Sequence, residues 1–155
     1  MFDVIPITTD RHTACGPTSL KMLLDYYGQE ASLDALIREC GVSITGCSGA
    51  DILRAGRAHG LDMTAWSMSA DELLRQDRPA VIHWRGTHWA VFCGVDADGR
   101  PAICNPSRGR YRMSREQFAG WYSGTALFNG TPQPLDVFPA DYFGEHNPEP
   151  VYFDN

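Results

Sequence analysis

A cysteine thiol becomes a strong nucleophile at neutral pH once it is ionised, and one of the five cysteines stands where ionisation is favoured. Cys15 directly precedes Gly16-Pro17, and proline is well tolerated in a helix first turn. Leu20, Leu23, Leu24 and Tyr27 follow at helical spacing. A thiol at that helix start meets unpaired backbone N–H groups and the positive end of the macrodipole, both of which favour thiolate. The same position also suits a small buried cysteine, so both readings stay open on position alone. Cys40, on a helix face with Leu33, Leu36 and Ile37, and Cys93, inside an apolar strand run, read as core; Cys47 lies in a Gly-rich loop, and Cys104 precedes Asn105 in a strand.

A nucleophilic thiol needs a base that takes its proton and returns one to the leaving group. The histidines are His12, His59, His83, His88 and His146. His88 opens an apolar strand run just after Arg85-Gly86-Thr87, and the first side chain of a rigid strand can face a cleft. His83, across the same hairpin, is its rival, and His59, next to Gly60, reads as a charge at a helix C-terminus. Asn105, before Pro106 at the end of the next strand, can accept the imidazole N–H and turn the ring toward Cys15 if the two strands are neighbours. Asn-Pro is equally a turn initiator. No metal or cofactor is expected: His83 and His88 lie five apart, no Cys pair completes a zinc site, and no Gly-rich loop follows a strand as phosphate binding requires.

These residues must be positioned by helices first and strands second. Ser32 can cap a helix ending at Gly41, Ser48 one ending at Gly60, and Ser69-Ala70-Asp71-Glu72 is a capping box for a short helix before Pro79. Leu61–Trp66 is a short strand. From Ala80 the period changes: Ala80–Trp84, Trp89–Val95 and Ala102–Cys104 read as strands, the middle one apolar on both faces and so covered on both sides. Ser114–Gln117 is another capping box, for a helix with Phe118 and Trp121, and Ala126–Phe128 is a strand closing the sheet. The expected class is α+β, a helical half followed by an antiparallel sheet.

Composition sets the outer limits. With 155 residues, 43% hydrophobic and 21% charged, the chain suits one ordinary domain that can bury roughly two thirds of its surface. A net charge of −6 argues against nucleic acid or anionic lipid as partner, since both need a concentrated positive field. No apolar run reaches the roughly 18–20 residues that span a bilayer, and Met1–Pro6 lacks the basic start and apolar stretch of a secretion signal, so a cytoplasmic location is expected. An odd cysteine number with no CxxC suits reduced thiols. The domain is expected over residues 1–130. Residues 131–155, with five acids and no Lys or Arg, form an acidic Pro- and aromatic-rich extension expected to lie along its surface. Arg108, Arg110 and Arg112 alternate: either an anchor for an acidic substrate or chain-terminal carboxylate, or, as favoured here, a solvated face answering the acidic extension.

A Cys at a helix start, a His at a strand start and an Asn at the next strand end follow the order of papain-like thiol enzymes. The sequence resembles the C39 peptidases, papain-like proteases that process double-glycine leader peptides of bacteriocins, and their stand-alone relatives. The resemblance rests on Cys15-Gly16-Pro17-Thr18-Ser19-Leu20, on Pro79–Val91, on Ile103–Gly109 and on Met113–Phe118, and covers about residues 10–128. It implies a papain-like fold, a peptide or protein substrate, Cys15 as nucleophile, His88 as general base and acid, and Asn105 in the orienting position. Three positions depart from the family pattern: Asn105 stands where Asp is usual, Ala14 where an acid is frequent, and Thr9 where the family places an oxyanion-hole Gln. Losing such a donor costs roughly 100–1,000-fold in rate; Thr9, His12 or a backbone amide would have to replace it. The resemblance therefore implies a thiol peptidase, or else a C39-like module that binds peptide without turnover, or a transamidase or deamidase on the same three residues. The sequence names no cleavage site and no oligomeric state.

Overall fold

Short polar caps decide where four of the five α-helices begin. The computed structural model describes residues 1–44, 46–133 and 149–151. A single 3-10 turn, His12–Ala14, runs directly into α1 (Cys15–Tyr26), followed by α2 (Leu33–Cys40) and α3 (Gly49–Ala58). Ser32 Oγ accepts the Ala35 N–H at 3.1 Å to start α2, and Gly41, at φ 64°, ends it in the left-handed region that glycine enters freely. Ser48 and Asp51 form a reciprocal capping box at α3. Then come β1 (Met63–Ser67), α4 (Ala70–Leu74) behind the Ser69–Glu72 box, β2 (Ala80–Trp84), β3 (His88–Val95), β4 (Pro101–Asn105), β5 (Gly109–Arg112), α5 (Arg115–Trp121), β6 (Tyr122–Asn129) and β7 (Glu149–Pro150). Among the described residues no helix is long and apolar enough to cross a membrane.

The strands form one antiparallel sheet in the order β5-β4-β3-β2-β6-β1-β7. β3 is buried along both faces, as its two-sided apolar pattern requires. Val91 and Cys93 join Leu20, Leu23 and Leu24 of α1 in one core, while Phe92 joins Phe118 of α5 on the other side. Fully buried Leu20, Leu23 and Leu24 each contribute roughly 1.5–3 kcal/mol by leaving water, which fastens α1 and its N-terminal Cys15 to the sheet. The strand expected around Ala126–Phe128 does more than close the sheet: β6 is inserted between β2 and β1, with Leu127 opposite both Val81 and Ala65. Most of residues 131–155 fall outside the described residues. Of the part described, Gln133 N–H donates to Gln76 Oε1 at 2.7 Å and Val151 N–H to Ala65 O at 2.7 Å.

The turn between β2 and β3 carries a conformational cost. Arg85 (φ 53°) is the one non-glycine residue with positive φ among the described residues, and Gly86 (φ 77°) follows it. Consecutive left-handed residues favour Asn-Gly, whereas a long side chain at the first is strained. Arg85→Asn is therefore expected to raise unfolding stability by about 0.5–1 kcal/mol, read as a higher urea midpoint at unchanged slope. A lower midpoint would mean that packing of the Arg85 side chain outweighs the backbone strain.

Candidate active site

Three elements from distant parts of the sequence deliver Cys15, His88 and Asn105 to one place. Cys15 begins α1, His88 begins β3, and Asn105 ends β4 beside it. His88 Nε2 donates to Asn105 Oδ1 at 2.8 Å, which leaves Nδ1 as the ring nitrogen available to the Cys15 thiol. Cys15 is only 5% exposed, yet with His88 it lines an open cleft of about 190 Å³ together with Thr9, Asp10, His12 and Ser107.

The electrostatics favour charge separation between sulfur and ring. Burial pushes the Cys15 thiol up, but the hydrogen bond to His88, the Trp89 and Gly16 backbone amides and the charge on the imidazole outweigh it, so the thiol ionises below its ordinary 9.0. Burial also disfavours the charged imidazole of His88. Its bonds to Cys15 and Asn105, with the attraction of the nearby thiolate, prevail and hold it protonated above the ordinary 6.5.

Asn105 is itself locked. Its Oδ1 also accepts from the Ser107 N–H at 3.0 Å and the Ser107 hydroxyl at 2.8 Å, and its Nδ2 donates to Tyr111 Oη at 3.2 Å. The Ser107 N–H can only donate, so it fixes the carbonyl end of the carboxamide toward His88. Asn105 thus opens a turn and orients the ring with the same oxygen. Ser107 and Tyr111 were not legible as site residues, because only the β4–β5 hairpin, which sets Asn105 opposite Gly109, folds them back onto Asn105.

The other candidates fall elsewhere. His83 lies across the hairpin, its ring 4.7 Å from that of Trp89, and both burial and the charge of His88 push it toward neutrality. It shares a different cleft with Cys47 and Trp89. His59 caps α3 and meets Glu39 at 2.5 Å, as its place at a helix end suggests. Cys40, Cys93 and Cys104 are fully buried. Cys47 is half-buried against Gly16, and its thiol is pushed up by its hydrogen bond with Cys40 and by burial. Cys93 and Cys104 sulfurs lie 3.0 Å apart; Cys104 is the more acidic partner because Cys93 donates to it and Arg110 faces it. Trp84 and Trp89 are buried, and Trp89 Nε1–H donates to Cys47 O at 3.2 Å. Arg108, Arg110 and Arg112 are all exposed, and most of the acidic extension they were expected to answer lies outside the described residues. Arg110 donates to Val4 O, Arg112 pairs with Asp96 at 3.2 Å, and Arg108 stacks on the Tyr111 ring.

Thr9 occupies the cleft at the position where the sequence resemblance leads one to expect a glutamine. Its N–H donates to Pro106 O at 2.7 Å, tying the N-terminal segment to the end of β4, and its Oγ1 accepts from Arg11 N–H at 3.2 Å. A hydroxyl that accepts one bond still has a proton to give.

Comparison with known proteins points the same way. The model of the Peptidase C39 family matches residues 4–133. A probable microcin-H47 secretion/processing ATP-binding protein of Escherichia coli is 30% identical over 124 residues, 79% of this chain and 18% of that protein. An uncharacterized protein of Methanothermobacter marburgensis is 25% identical over 114 residues, 74% of this chain and 80% of its own. The chain thus spans about a fifth of the length of the secretion protein and most of the length of the archaeal one. Among solved structures, a double glycine motif protease from an AMS/PCAT transporter, in complex with the leader peptide, superposes with a TM-score of 0.76 at 28% identity, covering 80% of this chain and 89% of that one. The peptidase domain of Streptococcus ComA has the same fold, with a TM-score of 0.74 at 21% identity over 81% of this chain and 96% of that one.

Proposed function

The chain belongs to the peptidase C39 family, and from that premise we propose that it hydrolyses peptide bonds through Cys15, His88 and Asn105. The observation that carries this reading is the convergence of Cys15 and His88 on one open cleft, with His88 Nε2 bonded to Asn105 Oδ1 at 2.8 Å. The Cys15 thiolate attacks the scissile carbonyl carbon, and the Thr9 hydroxyl supplies a hydrogen bond to the oxyanion that forms. The imidazolium of His88 gives its proton to the departing nitrogen, the C–N bond breaks and a thioester remains on Cys15. Neutral His88 then takes a proton from water as it attacks the thioester, which releases the acid and restores the thiol. Asn105 keeps the ring in register throughout and carries no charge of its own.

The substrate proposed is a peptide or protein, in keeping with the solved relative held with a leader peptide. Thr9 in the cleft favours a second reading, a domain that binds peptide without cleaving it. The first measurement separates reactivity from binding. At pH 7, iodoacetamide is expected to modify Cys15 at least about 100-fold faster than Cys47, followed by peptide mapping, because one thiol is drawn below its ordinary range and the other is pushed above it. Equal rates would remove the activated thiolate. A fast Cys15 that binds Gly-Gly-containing peptides but yields no product would leave the binding module.

A further inference from the structure

A second cleft, of about 380 Å³, continues from the first through His12, His88 and Ser107, and is bounded by His88 and Asn105 but not by Cys15. Its walls are aromatic: Trp84, Tyr111 and Trp121. Two arginines border it. The Arg85 guanidinium lies 4.4 Å over the Trp121 ring and that of Arg108 lies 4.7 Å over the Tyr111 ring. Among the described residues no acidic side chain lines this cleft, and neither arginine meets a carboxylate at ion-pair distance. Other arginines are engaged: Arg54, Arg78 and Arg112 pair with aspartates, while Arg57 and Arg115 donate to backbone carbonyls. A guanidinium stacked on a ring keeps its N–H edge free to fork a carboxylate, and its orientation is already fixed. Arg85 does this from the left-handed backbone of its turn, a strained placement of the kind that accumulates at ligand-binding positions.

We infer that this second cleft is the subsite for the segment that departs with the new amine, and that Arg85 and Arg108 select a carboxylate there, from an acidic side chain or from the chain terminus. The inference rests on the peptidase reading in one respect: His88 protonates the departing nitrogen at the edge of the ring that faces Cys15, so the departing segment passes beside the ring and runs on into the cleft that shares His12, His88 and Ser107 with the first.

Synthetic peptides that share one acyl-side sequence ending in Gly-Gly test it. In two pairs, Glu is set against Gln at the first or second departing position with the C-terminus amidated. In a third, a neutral departing dipeptide ends in a free or an amidated carboxyl. Cleavage is measured for the wild-type chain and for the Arg85→Asn/Arg108→Gln double variant, and affinity for the same peptides is measured on Cys15→Ala protein with and without the two changes. Arg85→Asn suits its turn, and circular dichroism checks the fold of each protein.

At least one acidic peptide is expected to be preferred about tenfold over its neutral partner, the size of a charge-assisted hydrogen bond in a partly open site. The preference should fall to about one in the double variant and shrink as salt rises. Which pair carries the preference identifies the source of the carboxylate. Absence of preference in all three pairs, or a preference that survives the double variant, overturns the subsite, and cleavage of any peptide would then leave the peptidase reading standing. Selective binding by Cys15→Ala with no cleavage by wild type has the opposite meaning: the subsite stands and the hydrolase reading falls.

Discussion

Cys15→Ser is expected to lower peptide turnover by at least about 10⁴-fold, toward the range seen when a serine protease loses its nucleophile. The substitution changes little in shape but removes the ionisation. The features that draw the Cys15 thiol below its ordinary value act on an anion: the His88 ring and the Trp89 and Gly16 amides. A serine hydroxyl offers them no charge to stabilise near neutrality, so the attacking group is present almost wholly in its unreactive form. The fold should be preserved, because Cys15 sits in a helix held down by Leu20, Leu23 and Leu24 rather than by its own sulfur. Steady-state kinetics on a cleaved peptide, with circular dichroism and peptide affinity measured alongside, checks this. Residual turnover above about 1% would assign the attack to another group.

Removal of the imidazole follows in size. His88→Ala is expected to cost about 10²–10⁴-fold in kcat/KM, the range for a positioned acid–base group, and to change the pH profile as well. In the wild type, activity is expected to rise as the thiol ionises, at a pH below its ordinary 9.0, and to fall as the imidazolium deprotonates, at a pH above its ordinary 6.5. The plateau between these limits belongs to the pair, since each charge supports the other. Without His88 the thiol loses its main stabilising partner, so the acid limb moves up toward 9.0 and the alkaline limb disappears. The rate of Cys15 alkylation at pH 7 should fall in parallel. An unshifted acid limb would point to His83 as the operative base, which its separate cleft argues against.

The helical half was legible because its signals are local. Ser32, Ser48, Ser69 and Ser114 each cap the helix that their sequence context indicates, since a cap bond reaches only three residues along the chain. The Cys15–His88–Asn105 convergence was readable as an ordered set of element ends, while its distances were not. Asn105 alone was ambiguous, and the structure shows why: one carbonyl oxygen serves both the turn and the ring. The strand at Ala126–Phe128 was legible but its neighbours were not, because its pairing with β1 spans more than fifty residues, about which alternation says nothing. The three alternating arginines looked alike in sequence. Their roles diverge because Arg108 lies before β5 begins, while Arg110 and Arg112 lie within it, over Cys104 and Ala102.

The placement of β6 has a consequence for how the molecule is made. β1 is synthesised early and among the described strands pairs with β6 and β7, and β2 also waits for β6 on its free side. A ribosome that has delivered α1, β3 and β4 has emitted Cys15, His88 and Asn105, yet the sheet that must hold them is still in two unjoined pieces. Joining of the sheet therefore waits for a late keystone, β6, which among the described residues alone links β1 to the strands that carry His88 and Asn105.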